Sequence, residues 1–253
     1  MRRQILLASV GAAAIAGSAF AADLPYRGPP PAYLPPPPIF TWSGLYVGGQ
    51  IGYAWGNDPI NMSVLGIPTD FFDDRPRGVI GGAHVGYNLQ IAQWVVGLEG
   101  SVDGSSLKGT ATAAGGLALD TFADVQGSIR ARAGIAFDRV LIYATGGAAF
   151  AGITNHYFDT LGAVTGFPGT TESISKTRAG WTVGGGLEYA VTNNWSIRAE
   201  YRYSDFGRYN DFPFPFATLT TVVFQHHLTE NQVQAGVSYK FNSWGPGPVV
   251  AKY

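Results

Sequence analysis

The chain has no cysteine. That excludes a disulfide-stapled scaffold, a thiolate metal centre, a cysteine nucleophile and lipid attachment through an N-terminal cysteine. Charge is scarce too. Asp, Glu, Lys and Arg make up 13% of the residues, about half the share of an ordinary soluble domain. The 16 basic and 17 acidic side chains leave a formal charge of −1, so no cationic surface is on offer and no nucleic-acid partner is expected. Long apolar runs are missing beyond the N-terminus. The nearest, Val140 to Ile153, is 14 uncharged residues broken by Gly146-Gly147, short of the roughly 20 a membrane helix needs. No nucleotide loop is present either; Lys108-Gly109-Thr110 has the wrong order for one. What abounds is glycine, at 35 residues, and aromatics, with 15 Phe, 13 Tyr and 6 Trp.

The N-terminus sets the compartment. Met1-Arg2-Arg3 precedes the uncharged stretch Ile5 to Phe20, and Ala19-Phe20-Ala21 gives the small-x-small pattern of a secretory signal. Residues 1–21 are therefore expected to be removed after Ala21. Residues 22–41 form a Pro-rich periplasmic leader: eight of the sixteen prolines fall between Asp23 and Phe40. Such a segment adopts extended polyproline II and reads as a stiff spacer in preference to a docking segment.

Beyond Trp42 the hydrophobic period is two, the signature of strands. Leu45, Val47, Ile51, Tyr53 and Trp55 alternate with small or polar residues. So do Ala83 to Leu89, Trp94 to Val102, Val125 to Phe137, Trp181 to Tyr189, Trp195 to Tyr203 and Val233 to Phe241. With Val140–Ile153, whose two faces look alike, this makes eight strands. Tight turns near Ile91-Ala92-Gln93, Asp138-Arg139 and Thr192-Asn193-Asn194 alternate with long connections, roughly residues 56–77, 104–120, 155–176 and 206–229. The layout predicts an all-β fold over residues 42–241: an eight-stranded antiparallel transmembrane up-and-down barrel with short periplasmic turns and four long outer loops. Residues 242–253 would be a short periplasmic tail.

The faces can be assigned by charge. A soluble barrel, exported and lipocalin-like, would carry a densely charged exterior. Here the polar face is sparse, mixed in sign and interleaved with glycine: Glu99, Asp103, Arg130, Arg132, Arg178, Glu188, Arg198, Glu200, Arg202 and Lys240. These suit a narrow lumen where Arg and Glu pair. Trp55, Trp94, Phe137, Tyr189, Trp195 and Tyr203 sit near strand ends on the apolar face, as interfacial girdles do. The apolar face is outside, in an outer membrane.

The run Gly180-Trp181-Thr182-Val183-Gly184-Gly185-Gly186-Leu187-Glu188-Tyr189, continued by Asn194-Trp195-Ser196-Ile197-Arg198-Ala199-Glu200-Tyr201-Arg202-Tyr203-Ser204-Asp205-Phe206-Gly207, resembles the sixth and seventh strands of small alphaproteobacterial outer-membrane proteins. These are porin-family proteins of the RopB type, similar to the OmpA transmembrane barrel. Trp42 to Gly48 and Ser128 to Gly134 resemble their first and fourth strands. Gln234, Gly236, Tyr239 and Phe241 resemble the final-strand signal read by the barrel-assembly machinery, which the resemblance implies as a partner in biogenesis. In many such proteins the aromatic is the last residue, whereas here residues 242–253 follow. No peptidoglycan-binding domain is seen after the barrel, so any wall contact is expected from the leader or the tail.

Little here suggests chemistry. His84 falls on the lumen face and reads as a packed polar side chain. His226-His227 lies beside Glu230, but neighbouring strand residues point oppositely and no serine adjoins them, so a Ser-His-acid enzyme is not expected. Haem or a metal on this pair is physically conceivable and ranks low; no cofactor is expected. The first outer connection carries Asp70-Phe71-Phe72-Asp73-Asp74-Arg75, read as solvated in preference to a calcium or lipopolysaccharide bridge. The fourth carries Phe206, Tyr209, Phe212, Phe214, Phe216 and Val222-Val223-Phe224. Ligand recognition and packing of extended strands are equally open there. The expected function is an envelope-stabilising outer-membrane barrel that contacts lipid, lipopolysaccharide or partners. A narrow porin-like channel, which the family name implies, ranks second, because eight strands leave an interior that side chains fill. Haem or another surface ligand held by the outer loops ranks third.

Overall fold

The computed structural model describes residues 40–112, 116–214 and 222–241. Residues 1–39 and 242–253, where the signal sequence, most of the leader and the tail are expected, lie outside the described residues. Nine antiparallel strands occur among those described: β1 (Gly44–Val64), β2 (Ile67–Asp74), β3 (Arg77–Ile91), β4 (Trp94–Thr112), β5 (Leu117–Phe137), β6 (Val140–Asp159), β7 (Thr170–Ala190), β8 (Trp195–Asp211) and β9 (Val222–Lys240). Their order is β2-β1-β3-β4-β5-β6-β7-β8-β9, and β1 also pairs with β9, so the sheet closes on itself. Closure matters in lipid, where each unpaired backbone group would cost several kcal/mol.

The ninth strand, β2, falls within residues 56–77, expected as a long connection, and continues the expected second strand outward. Asp58 pairs with Asp74 and Trp55 with Arg77, in one unbroken register. The interruption falls at Arg75-Pro76, where Pro76 has no N–H to give. Its carbonyl still accepts from Gly56 N at 2.7 Å. β2 and β3 thus form one strand broken by proline, and the wall is eight-stranded.

The tight turns fall where the sequence places them, with Ile91 paired to Trp94 and Phe137 to Val140. The long connections hold more structure than their composition suggests. β1, β5 and β7 are each 21 residues, about twice the 9–11 that cross a bilayer. Most of each outer connection is therefore ladder that carries the wall above the membrane. The β1–β2 tip is only Leu65-Gly66, with φ of 52° and 77°, the doubly positive turn whose twist suits a hairpin.

Along every strand but β2, burial alternates. Ile51 is 64% and Leu98 65% exposed on the outside, while Gln50 and Glu99 beside them are buried. On β1 the outward side chains change from Ile51, Tyr53 and Trp55 to Asn57, Asn61 and Ser63; on β9 they change from Val237, Ala235 and Val233 to Asn231, Thr229 and His227. That change marks the upper edge of the apolar band. β6 resolves as well: Leu141, Tyr143, Thr145, Ala149, Ala151 and Ile153 are buried inside, and Val140, Ile142 and Phe150 are outside. Its faces look alike in sequence because its inward residues are nearly as apolar as its outward ones.

Candidate functional site: the filled lumen

The lumen is filled in layers. At the short-turn end Trp42, Val95, Ala136, Leu141, Tyr143 and Ala190 form an apolar floor with Phe40 against it. Above lies a charged belt. Arg130, with no exposed surface, donates from Nη2 to Glu99 Oε1 at 2.5 Å and from Nη1 to Glu200. Glu99 lies on β4 and Glu200 on β8, so this guanidinium spans the tube. Arg198 donates to Glu99 Oε2 and to Gln50 Oε1, both at 2.6 Å. Arg132 pairs with Glu188, which also accepts from Ser196 Oγ at 2.5 Å. Its guanidinium carbon lies 3.7 Å from the centre of the Tyr143 ring. Tyr46 and Tyr143 donate to Glu99 and Glu200 at 2.8 and 2.9 Å. Arg202 bonds Gln232 and lies 3.5 Å from Asp103. Charge-assisted bonds of this kind are about twice as strong as neutral ones.

Inward glycines make the room. A methyl on Gly86 would lie 2.3 Å from Tyr46 Oη, and one on Gly48 2.4 Å from His84 Nε2. His84 itself is a satisfied packing residue, with its ring nitrogens 3.1 Å from Gln50 Oε1 and 2.8 Å from Ser238 Oγ.

Two residues expected in this network sit elsewhere. Arg178 is near the outer end, 3.2 Å from Asp211 and stacked 3.8 Å over Tyr209. Lys240 is at the floor, bonded to the Thr41 carbonyl and 4.5 Å from the Phe40 ring. Strand parity gives the face but not the height, and height separates them. Conversely, Tyr46 and Tyr143 belong to the belt although the sequence flags neither as a site residue. Parity on β1 already puts Tyr46 inside, whereas nothing in the sequence of β6 reveals Tyr143.

A second polar layer lies above the membrane band, beyond apolar packing by Ala149, Ala151, Ile153, Phe206, Tyr209 and Leu228 and by Ala54, Ile80, Leu107 and Ala123. His226 meets Asp58 Oδ2 at 2.7 Å through Nδ1 and Tyr157 Oη at 2.9 Å through Nε2. Asp211 accepts from Tyr157 Oη at 3.0 Å and Asn155 Nδ2 at 2.9 Å. Asp74 is fully buried beside them, and neither of its carboxylate oxygens has a hydrogen-bond partner. Burial pushes its carboxyl up to about 6. Ile60, Met62, Leu117, Leu119, Tyr157, Phe214, Val222 and Phe224 cap the tube. The aromatics of the fourth connection thus mostly pack inward. Phe212 is exposed, and Phe216 lies outside the described residues.

The histidine pair is divided by the wall. His226 has no exposed surface and both ring nitrogens engaged, neither with a serine, while His227 is on the other face. No group of three or more metal-ligating side chains occurs among the described residues. Gln234 and Gly236 face inward on β9. Tyr239 at the end of β9 and Phe241 just beyond it are on the outer face, Tyr239 edge-on to Trp195 at 5.0 Å.

The sequence matches the family described as outer membrane protein beta-barrel domain over residues 6–241. It is 35% identical over 253 residues to the 31 kDa outer-membrane immunogenic protein of Brucella melitensis, covering 94% of this chain and all of that one. It is 33% identical over 208 residues to a 22 kDa outer membrane protein of Rhizobium leguminosarum, covering 82% of each. The outer membrane protein OprG of Pseudomonas aeruginosa superposes with a TM-score of 0.54 at 10% identity, over 79% of this chain and 97% of that one. That likeness is one of fold.

Proposed function

From the premise that this chain belongs to the outer membrane protein beta-barrel domain family and resides in the outer membrane, we propose that it is a sealed, envelope-stabilising barrel and not a water-filled channel. One observation carries this: Arg130, fully buried, bridges Glu99 on β4 and Glu200 on β8 across the lumen. Apolar layers below and above the polar belt support the same reading, since an ion would have to cross them without partners. The lipid-facing band anchors the barrel and the protruding wall meets lipopolysaccharide. In this reading the leader is a spacer toward the peptidoglycan, and Gln234, Gly236, Tyr239 and Phe241 serve recognition by the assembly machinery.

The test is single-channel conductance of the chain from residue 22, refolded and inserted into a planar bilayer. A folded barrel without discrete openings is expected. Regular openings that change on Glu200→Gln or Arg130→Gln would replace the sealed barrel with a narrow channel whose plug is labile.

A further inference from the structure

Two irregularities of the wall meet on its outer face above the apolar band. In β1, Pro59 has no N–H, and pairing with β9 is continuous up to Asn57–Thr229 but resumes only at Asn61–Gln225. In β8, Gly207 has φ 71°, and pairing with β9 steps from Asp205–Thr229 to Arg208–His227. This is a bulge of the kind that needs glycine and re-aims the side chains beyond it. Even-numbered residues of β8 from Ser196 to Phe206 are buried in the lumen, so an unbulged strand would turn Arg208 inward. Instead Arg208 is exposed and Tyr209 is buried.

Between the two irregularities lies a niche of about 180 Å³ lined by Pro59, Asn61, Arg208, Gln225 and His227, with His226 behind. Among the described residues Arg208 makes no ion pair and no side-chain hydrogen bond. The adjacent carboxylate is already used: Asp205 Oδ1 accepts from Gly207 N at 2.8 Å and lies 3.2 Å from His227 Nε2. What remains is a free guanidinium fork flanked by two side-chain amides, beside an imidazole whose Nε2 is held by Asp205, a donor set suited to a tetrahedral oxyanion. Along β9, His227 is four residues beyond Asn231, which pairs with both Trp55 and Tyr203 of the aromatic rim. That is about 13 Å along the strand, or about 10 Å of height at the usual tilt, within the headgroup and sugar layer. Lys108, opposite Arg77, is occupied by Asp120 at 3.8 Å and the Phe122 ring at 5.1 Å.

We propose that this niche binds a phosphate group of an outer-leaflet glycolipid, with Arg208 as the principal contact. The proposal rests on the outer-membrane placement and is independent of whether the lumen conducts. The chain from residue 22, in nanodiscs of zwitterionic lipid, is titrated with bisphosphorylated lipid A, with fully dephosphorylated lipid A and with inorganic phosphate, following the side-chain resonances of Arg208 and His227. Bisphosphorylated lipid A is expected to shift both and saturate, and the dephosphorylated form to leave them unmoved. Arg208→Gln should weaken lipid A binding about tenfold, the loss of one charge-assisted contact. Arg208→Lys should lose part of that, and Arg77→Gln none of it. Equal affinity in Arg208→Gln, or an equal loss in Arg77→Gln, overturns the site in favour of diffuse attraction. Inorganic phosphate binding as tightly as lipid A overturns the lipid source. A silent barrel that fails this titration remains a sealed barrel, and a conducting one that passes it retains the site.

Discussion

One tube holds two buried polar layers, and they are built on opposite principles. In the belt at membrane height, Arg130, Arg132, Arg198 and Arg202 face Glu99, Glu188, Glu200 and Asp103, each arginine within 3.5 Å of a carboxylate oxygen. The layer above the membrane is acid-rich. Asp58 pairs with the buried His226 and Asp211 with the partly covered Arg178 and Lys176, while Asp74 makes no ion pair. A half-satisfied buried network destabilises where a satisfied one rigidifies. Apart from Arg130 Nε and Arg132 Nε, which lack acceptors, the belt's charges are paired, so the belt is the rigid seal and the outer wall the softer, pH-responsive part.

The largest effect should come from breaking the belt. Arg130→Leu strands Glu200 and leaves Glu99 with Arg198 alone, both carboxylates being already desolvated. Removing one partner of a buried pair costs about 3–5 kcal/mol. Urea unfolding in lipid vesicles, followed by tryptophan fluorescence and heat-modifiable gel mobility, should show a midpoint lowered to match. The double replacement Arg130→Leu with Glu200→Leu, which leaves Glu99 paired with Arg198, should recover much of that loss, because what destabilises is the uncompensated charge. If the single variant were as stable as the wild type, the belt would not be the rigid element.

The outer layer should respond in the opposite direction. Asp74 faces Asp58 on β1 and His226 on β9, and its carboxyl titrates near 6. A carboxyl raised in the folded state holds its proton more tightly there, so stability falls as pH rises from about 4 to about 6. Asp74→Asn should therefore stabilise the protein by about 2–3 kcal/mol at pH 7.5 and flatten this slope. Asp159 is the counterexample within the same wall. It accepts from Ala163 N, Val164 N, Thr165 N and Thr165 Oγ1 at 2.8–3.1 Å, and though burial opposes it, these bonds hold its carboxyl below the usual range. Its contribution is present above the ordinary carboxylate range and is lost as pH falls. Protection factors at Ala163 and Thr165, taken after allowing for the slower intrinsic exchange at low pH, should fall on acidification, while those in β2 should rise.

How much of this was legible in the sequence follows from the same contrast. The belt is spaced by strand parity, so Glu99, Arg130, Arg132, Glu188, Arg198, Glu200 and Arg202 could be put on one face, and opposite signs on a narrow lumen imply pairing. The outer layer could not be read that way. Bulges shift the phase, as in β5, where Leu117 to Ala123 are buried at odd positions and Gln126 to Ala136 at even ones. Pro59, Pro76 and Gly207 look like loop residues, so strand that protrudes beyond the membrane passes for loop. Asp58, Asp74 and His226 come together only through the pairing of β1 with β2 and the closure of β9 on β1.

The smallest effect separates backbone from charge as the source of outer softness. Gly56 and Pro76 face each other across β1 and the β2–β3 break, and Gly56 N donates to the Pro76 carbonyl without a bond in return. Pro76→Ala restores a donor toward the Gly56 carbonyl, worth about 1 kcal/mol. It also frees the unfolded chain, at a loss of about 0.4–1 kcal/mol. The two nearly cancel, so the unfolding midpoint should stay put. Amide exchange at residue 76 should nonetheless be measurable and slow, as β2 and β3 fuse, while the pH slope set by Asp74 persists. A slope that vanished with the proline would place the softness in the broken ladder and not in the unpaired carboxylate.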